Sequence, residues 1–469
     1  MSTAWRYEHG CLAAYCLIFV GLAAQVCILG ATLDGLAELY GEAEGATALS
    51  ESMIGRGVGF LLGTFATGFA YDKWPEHAHL LFFACILGLA AATALIPLYP
   101  SAGVTPGSGR WMLLLGLLFQ AAAAGSVDLG GNVLLTRVFG KDVDRLNPRM
   151  NLLHLAWGIG ATVGPLMAVG LGLAGERLAI TYATIAGTGV VLSLPLLFLR
   201  SPVKVARLGD RGGDRGGGST SDNDAVSTTT SKKTLRQSRP GVTRSIIFLC
   251  MFYFFYAGVE RIIGGWIAVF SSNSPLAASK ETAALTVSVY FGSMSIGRLI
   301  AAVLTSKRRW ARMLTPERMI GSSLFLALVS LLVLALSGAY HMIGLFAGVA
   351  GIGLSLSSMY PGAITLAQSR FQASGSQTSV FVSGAPLGGL VWPVTIGVLM
   401  RKMSSLAMPW AGIVLGSGCA VCFAIVLCTS VPPDPGEIEG ETELSARRVD
   451  DIRVEVKPSS AKKHVDSLS

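Results

Sequence analysis

CLAAYCLIFVGLAAQVCILGATL, Cys11 to Leu33, holds no charged side chain over its whole length. A bilayer core of ~30 Å takes about 20 apolar residues of α-helix to cross. Lipid offers the backbone no hydrogen-bond partner, so such a run satisfies its own N–H and C=O groups by coiling into a helix. Further runs of this kind start near residues 50, 78, 111, 150, 178, 245, 282, 318, 340, 378 and 409. With the first they make twelve expected membrane-spanning helices, and the alternation of a membrane β-barrel is missing.

The composition agrees with that reading. Of 469 residues, 52% are hydrophobic and 14% charged, and the mean hydropathy is +0.58. Ordinary soluble domains carry about 25% charged residues. The net charge of +8 and the pI of about 9.1 suggest a nucleic-acid partner only until the cations are located: they lie in loops between apolar runs. That distribution reports membrane orientation, so no nucleic-acid partner is expected. All eight cysteines fall within apolar stretches, which argues against a disulfide framework. Cys419 and Cys422 form a CxxC inside a strongly apolar helix, where packing is the expected role.

Two polar segments punctuate the helices. Residues 200–243, with GDRGGDRGGGSTSDNDAVSTTTSKK, read as a flexible linker, and 431–469 as a charged, disordered tail. The expected organisation is an N-terminal segment 1–10, a six-helix bundle 11–199, the linker 200–243, a second six-helix bundle 244–430 and the tail. Placing the N-terminus in the cytoplasm puts 28 Lys and Arg in inner segments and five in outer ones. This bias predicts that both termini, the linker and the tail are cytoplasmic. Two halves of six suggest an internal repeat. GIGATVGP (Gly158 to Pro165) on the fifth helix and GAPLGGLVWP (Gly384 to Pro393) on the eleventh are Gly-rich and interrupted by proline at equivalent places.

Charges at bilayer depth cost at least ~2.5–3.5 kcal/mol each, so they mark candidate sites. Asp128 and Asn132 share a face of the fourth helix in GSVDLGGNVLL, where Gly125, Gly130 and Gly131 are expected to leave the backbone open. Tyr253, Tyr256 and Glu260 share a stripe of the seventh helix, a pattern suited to a polar ring-shaped solute. Arg261 and Trp266 follow in the same segment. Asn151 and His154 are three apart on the fifth helix; the histidine suits proton movement or a structural hydrogen bond. Arg56 and Arg298 each call for an anion, with Glu51, Asp34, Asp128 and Glu260 available. Asp34, near the end of the first helix, is either part of the site or a helix-end charge. Asp72 and Lys73 suit a gating or packing element. GRGVG and GIGATVG follow no strand, which removes a dinucleotide fold, and there is no Walker A, HExxH or GxSxG sequence. No enzyme activity is expected.

These residues carry a resemblance. GRGVGFLLGTFATGFAYDK (Gly55 to Lys73), DLGGN (Asp128 to Asn132), MNLLHLAWGIGATVGPL (Met150 to Leu166), YAGVERIIGGW (Tyr256 to Trp266), FGSMSIGRLI (Phe291 to Ile300) and GLSLSSMYPGAITLA (Gly353 to Ala367) together resemble a major facilitator superfamily transporter. More narrowly they resemble the branch of sodium-dependent glucose transporter-like proteins and fucose–proton symporters. The resemblance implies an all-α polytopic membrane protein, two pseudo-symmetric six-helix bundles around a central cavity, alternating access and a monosaccharide-class substrate. Asp128 falls at the position of the coupling acid on the fourth helix of the fucose symporters. The chain departs from the family in AYDKWPEH (Ala70 to His77), where the usual basic run is reduced.

The expectation is therefore a secondary active symporter in the plasma membrane, a monomer embedded in the lipid bilayer, with no cofactor beyond a coupling Na+ or H+. Solute would be contacted from the first, fourth, fifth, seventh, eighth, tenth and eleventh helices. An uncoupled sugar facilitator of the same fold and a non-transporting membrane receptor or scaffold are the competing readings.

Overall fold

The computed structural model describes residues 3–40, 52–98, 109–140, 142–172, 176–202 and 240–430. The linker residues 203–239 and the tail 431–469 lie outside them, as does Glu51. Among the described residues there is no strand. Six helices fill the first half: α1 Thr3–Leu39, α2 Ser52–Lys73, α3 Ala78–Leu95, α4 Gly109–Phe139, α5 Val143–Leu171 and α6 Glu176–Ser193. The second half has α7 Pro240–Asn273, α8 Lys280–Ser306, α9 Pro316–Val333, α10 Met342–Phe371, α11 Gly375–Lys402 and α12 Ala407–Cys428.

Among the described residues, eleven spans are long and apolar enough to cross a membrane. The twelfth helix is α2, whose 22 residues include Arg56, Thr64, Thr67 and Asp72. Its polarity follows from its place, since it faces α4 and, across the seam, α11. Helix α1 starts at Thr3 rather than near residue 11. Its first turns are tied to the rest of the bundle, because Glu8 pairs with Arg145 and the Tyr7 hydroxyl donates to the Arg200 carbonyl (2.9 Å).

Helices α1–α6 pack on one another and α7–α12 do likewise, and the groups meet where α2 faces α11 and α5 faces α8. The repeat hinted at by the Gly-Pro segments is visible in this packing. A Cβ at Gly160 or Gly164 of α5 would run into the Val20 and Ala24 carbonyls of α1. In the second half, Gly384 and Gly388 of α11 lie as closely over the Cys250 and Phe254 carbonyls of α7. In each half the fifth helix thus seats a glycine pair, four residues apart, on the first helix, an approach that only small residues permit.

Two helices of the second half are broken, and proline explains both. Helix α10 is interrupted at Ser357–Ser358, where Pro361 supplies no N–H to the Ser357 carbonyl four residues back. Helix α11 is interrupted at Ser383, and Pro386 likewise leaves the Val382 carbonyl without its donor.

Candidate functional site

Asp128, Asn132, His154, Tyr256 and Arg298 converge where α4 and α5 of the first half meet α7, α8 and α10 of the second. Asp128 lies mid-way along α4 and is 9% exposed. Its Oδ2 accepts from the Tyr360 hydroxyl of α10 at 3.5 Å, a contact between the two halves. Asn132, one turn on, is fully buried. Its amide donates to the Asp128 carbonyl (2.9 Å), and its Oδ1 accepts from His154 Nε2 of α5 (3.2 Å). The His154 ring lies 4.9 Å from the Tyr360 ring, centroid to centroid. One chain of contacts therefore joins α4, α5 and α10.

The break in α10 organises the second half of the site. It leaves the Ser357 carbonyl without a helical donor, and buried carbonyls need partners. Tyr256 of α7 donates its hydroxyl to Leu356 O (3.4 Å), and Tyr253 donates to Tyr360 O (2.8 Å). Arg298 of α8 donates Nε to Ser357 O (3.4 Å) and Nη1 to His154 O across the seam (3.1 Å). The aromatic hydroxyls of the α7 stripe are thus spent on the α10 backbone rather than offered to a solute. Glu260 differs: it is half-buried, and among the described residues its carboxylate has no hydrogen-bond partner. Its backbone carbonyl accepts from Tyr290 of α8 (3.2 Å). Arg261 is exposed, rests against Gly389 of α11 and stands within electrostatic range of Asp128.

Several expectations need correction. The glycines beside Asp128 are not open space: Gly125 abuts the Phe60 carbonyl, Gly130 abuts Tyr71 and Phe82, and Gly131 abuts the Phe19 ring. Arg298 is satisfied by carbonyls, and among the described residues it has no carboxylate partner. Arg56 likewise donates to a carbonyl, Val26 O of α1 (2.8 Å). Backbone carbonyls accept guanidinium N–H groups as carboxylates do, so neither arginine requires an acid for its hydrogen bonds. Asn151 is buried and donates to Asn147 O (3.0 Å), one turn back on its own helix. Trp266 stands apart from the cluster and donates to Pro393 O of α11 (3.0 Å). The side chain of Asp34 lies outside the described residues.

Asp72 occupies a second site, at the end of the seam that carries the N-terminus and the start of the linker. Its Oδ1 accepts from Gly375 N and its Oδ2 from Ser376 N, both at 2.8 Å. Those amides open α11, so the carboxylate sits on a helix N-terminus, where negative charge is favoured. Arg137 of α4 completes the arrangement at 3.4 Å from Oδ1. A bond from Asn147 Nδ2 to Met319 Sδ (3.1 Å) adds a second tie between the halves.

Sequence reasoning missed Tyr360, Tyr290 and Phe19. Tyr360 had a signal: it precedes Pro361 in the middle of an apolar span, the place where a helix must open.

The Major Facilitator Superfamily profile matches residues 12–393. The mouse (Mus musculus) protein "Sodium-dependent glucose transporter 1A" is 27% identical over 417 residues, covering 83% of this chain and 89% of that protein. The human (Homo sapiens) "Sodium-dependent glucose transporter 1" is 25% identical, covering 83% and 74%. Among solved structures, the transporter FucP in its outward conformation superposes with a TM-score of 0.63 at 16% identity, covering 90% of this chain and 99% of that one. The proton:xylose symporter XylE gives 0.65 at 11% identity, covering 90% and 95%. At such identities the structural likeness speaks for the fold.

Proposed function

This chain belongs to the Major Facilitator Superfamily, and from that premise we propose that it is a secondary active transporter, carrying a monosaccharide by alternating access with Na+ or H+ coupling. The observation that carries the proposal is the contact of Asp128 with Tyr360. An ionisable group of one half touches the other half at mid-span, so its charge state bears on how the halves sit together. The names of the sodium-dependent glucose transporter relatives support sugar as cargo and a cation as driver.

In this reading Asp128 is the coupling acid. A cation or proton on its carboxylate weakens the hold of Tyr360, and Asn132 and His154 transmit the change to α5. Glu260, with no protein partner of its own among the described residues, offers acceptors to the sugar hydroxyls. Asp72 holds the α11 end of the seam shut until the halves rock. The 28-to-five distribution of cations supports a cytoplasmic location for that end and a multi-pass orientation with both termini inside. The plasma membrane is the proposed location, and the monomer the proposed working unit.

The test is reconstitution into liposomes with labelled monosaccharides under imposed Na+ or proton gradients. Accumulation that follows one gradient supports the reading. Uptake indifferent to both gradients points to an uncoupled facilitator, and no uptake of any sugar overturns the proposal.

A further inference from the structure

The chain between α8 and α9 reads SKRRWARMLTPER, Ser306 to Arg318. It is an ordered turn: Trp310 N and Ala311 N both donate to Lys307 O at 2.9 Å, Leu314 N donates to Trp310 O at 2.8 Å, and Thr315 caps α9. Ala311 is buried and pins the turn to the bundle. Lys307, Arg308, Arg309, Arg312 and Arg318 are all exposed. Among the described residues, the side chains of the first four make no hydrogen bond or ion pair. Trp310 and Met313 stand out among them, 40% and 51% exposed. The turn follows directly on the last residue of the span that ends at Ser306, so it lies at the bilayer boundary.

Five cations fixed on a short rigid turn repel one another, and Glu317 is the one acid within it. The equivalent turn of the first half, AYDKWPEH, has the single cation Lys73, which lies over the Trp74 ring at 4.9 Å. There Asp72 is engaged with α11. The second half has Ser306 directly before Lys307 and holds no acid in that place. The basic turn is therefore not a copy of the latch and needs an external counter-charge. A row of basic side chains beside a span, with an indole and a thioether among them, fits a leaflet surface: headgroup phosphates meet the cations while the apolar groups enter the interface.

We propose that the α8–α9 turn is a docking surface for the headgroups of anionic phospholipids, with Lys307, Arg308, Arg309 and Arg312 on the phosphates and Trp310 and Met313 anchored at the acyl boundary. This requires the membrane-spanning fold and not the transport reading. The purified full chain in detergent is titrated with phosphatidylglycerol or phosphatidylcholine of equal chain length, and bound lipid is counted by native mass spectrometry. The expected result is a preference for phosphatidylglycerol that weakens about fivefold for each cation replaced by Gln and vanishes in the variant altered at all four. That variant must keep the thermal midpoint of the natural chain; if it does not purify, Arg309→Gln with Arg312→Gln gives the same reading. Equal preference in variant and natural chain overturns the proposal. So does displacement of the lipid by millimolar inorganic phosphate, which marks a free-anion site. Preference that emerges only after deletion of residues 431–469 also overturns it, because the acidic stretch from Asp434 to Glu443 is then the occupant.

Discussion

Arg298 donates its Nε to the Ser357 carbonyl at 3.4 Å, the carbonyl that Pro361 leaves without a helical donor. The same guanidinium reaches His154 O on the other half at 3.1 Å. A broken helix, a buried cation and the fifth-helix histidine that bonds Asn132 are thus one unit. Arg298→Lys keeps the charge but loses the planar fork that makes both bonds. The variant is expected to lose about 1.5–3 kcal/mol of stability, seen as a lower thermal midpoint in detergent, and to lose more transport than folded protein. A midpoint and uptake equal to those of the natural chain refute this role.

Asp72 accepts two amide protons from the start of α11. In Asp72→Asn one oxygen becomes a donor, so one of those amides loses its acceptor and the helix N-terminus loses its counter-charge. A loss of about 1–2 kcal/mol shifts the open-to-closed ratio of that end roughly five- to thirtyfold. Spin labels at Lys73 and Ser369, both exposed and on opposite halves, are expected to report a larger separated population in pulsed electron spin resonance. An unchanged distance distribution argues against a latch.

The spans were legible because lipid imposes a length and a composition that a sequence cannot disguise. Asp128, Asn132 and His154 were legible for the complementary reason: polar groups in an apolar run stand out. Tyr360 was hidden because an aromatic residue costs nothing in a membrane helix, and its importance rests on the backbone opening at Pro361. Arg56 and Arg298 find backbone carbonyls instead of acids because composition reveals carboxylates but not which carbonyls lie within reach. Which carbonyls a guanidinium can reach is a property of the packed molecule. The glycine pair at Gly384 and Gly388 was seen as a motif, yet its seat on Cys250 and Phe254 belongs to the tertiary structure.

Tyr360→Phe removes the hydroxyl that meets Asp128 and leaves the ring contacts with His154 and Tyr253 in place. A hydrogen bond to a charged group is worth about 1.5–3 kcal/mol, so the driving-ion concentration for half-maximal uptake is expected to move roughly ten- to a hundredfold. Asp128→Asn is expected to abolish accumulation against a gradient while sparing exchange. In the double variant the Tyr360 effect is expected to disappear, since its partner is gone. Additive effects separate the two residues and remove Asp128 from the coupling role.

Glu260 is a half-buried acid whose carboxylate has no hydrogen-bond partner among the described residues. Replacement by Gln preserves volume and halves its accepting capacity. The sugar KM is expected to rise about tenfold or more, with little change in thermal midpoint, because no described hydrogen bond of the protein is broken. Unchanged KM and rate place the solute elsewhere.

The glycine seats allow a paired test within one fold. A Cβ at Gly388 strikes the Phe254 backbone, whereas nothing lies within 4 Å of a Cβ at Gly265 on α7. Backbone cannot yield as a flexible side chain does, so Gly388→Ala must push α11 off α7. Overpacking of this kind costs about 1–3 kcal/mol. Gly265→Ala removes only unfolded-chain freedom and is expected to stabilise the helix by about 0.5–1 kcal/mol. Thermal midpoints in detergent should therefore move in opposite directions for the same chemical change. If Gly388→Ala is as stable as Gly265→Ala, the close seating of α11 on α7 is not what holds the second half together.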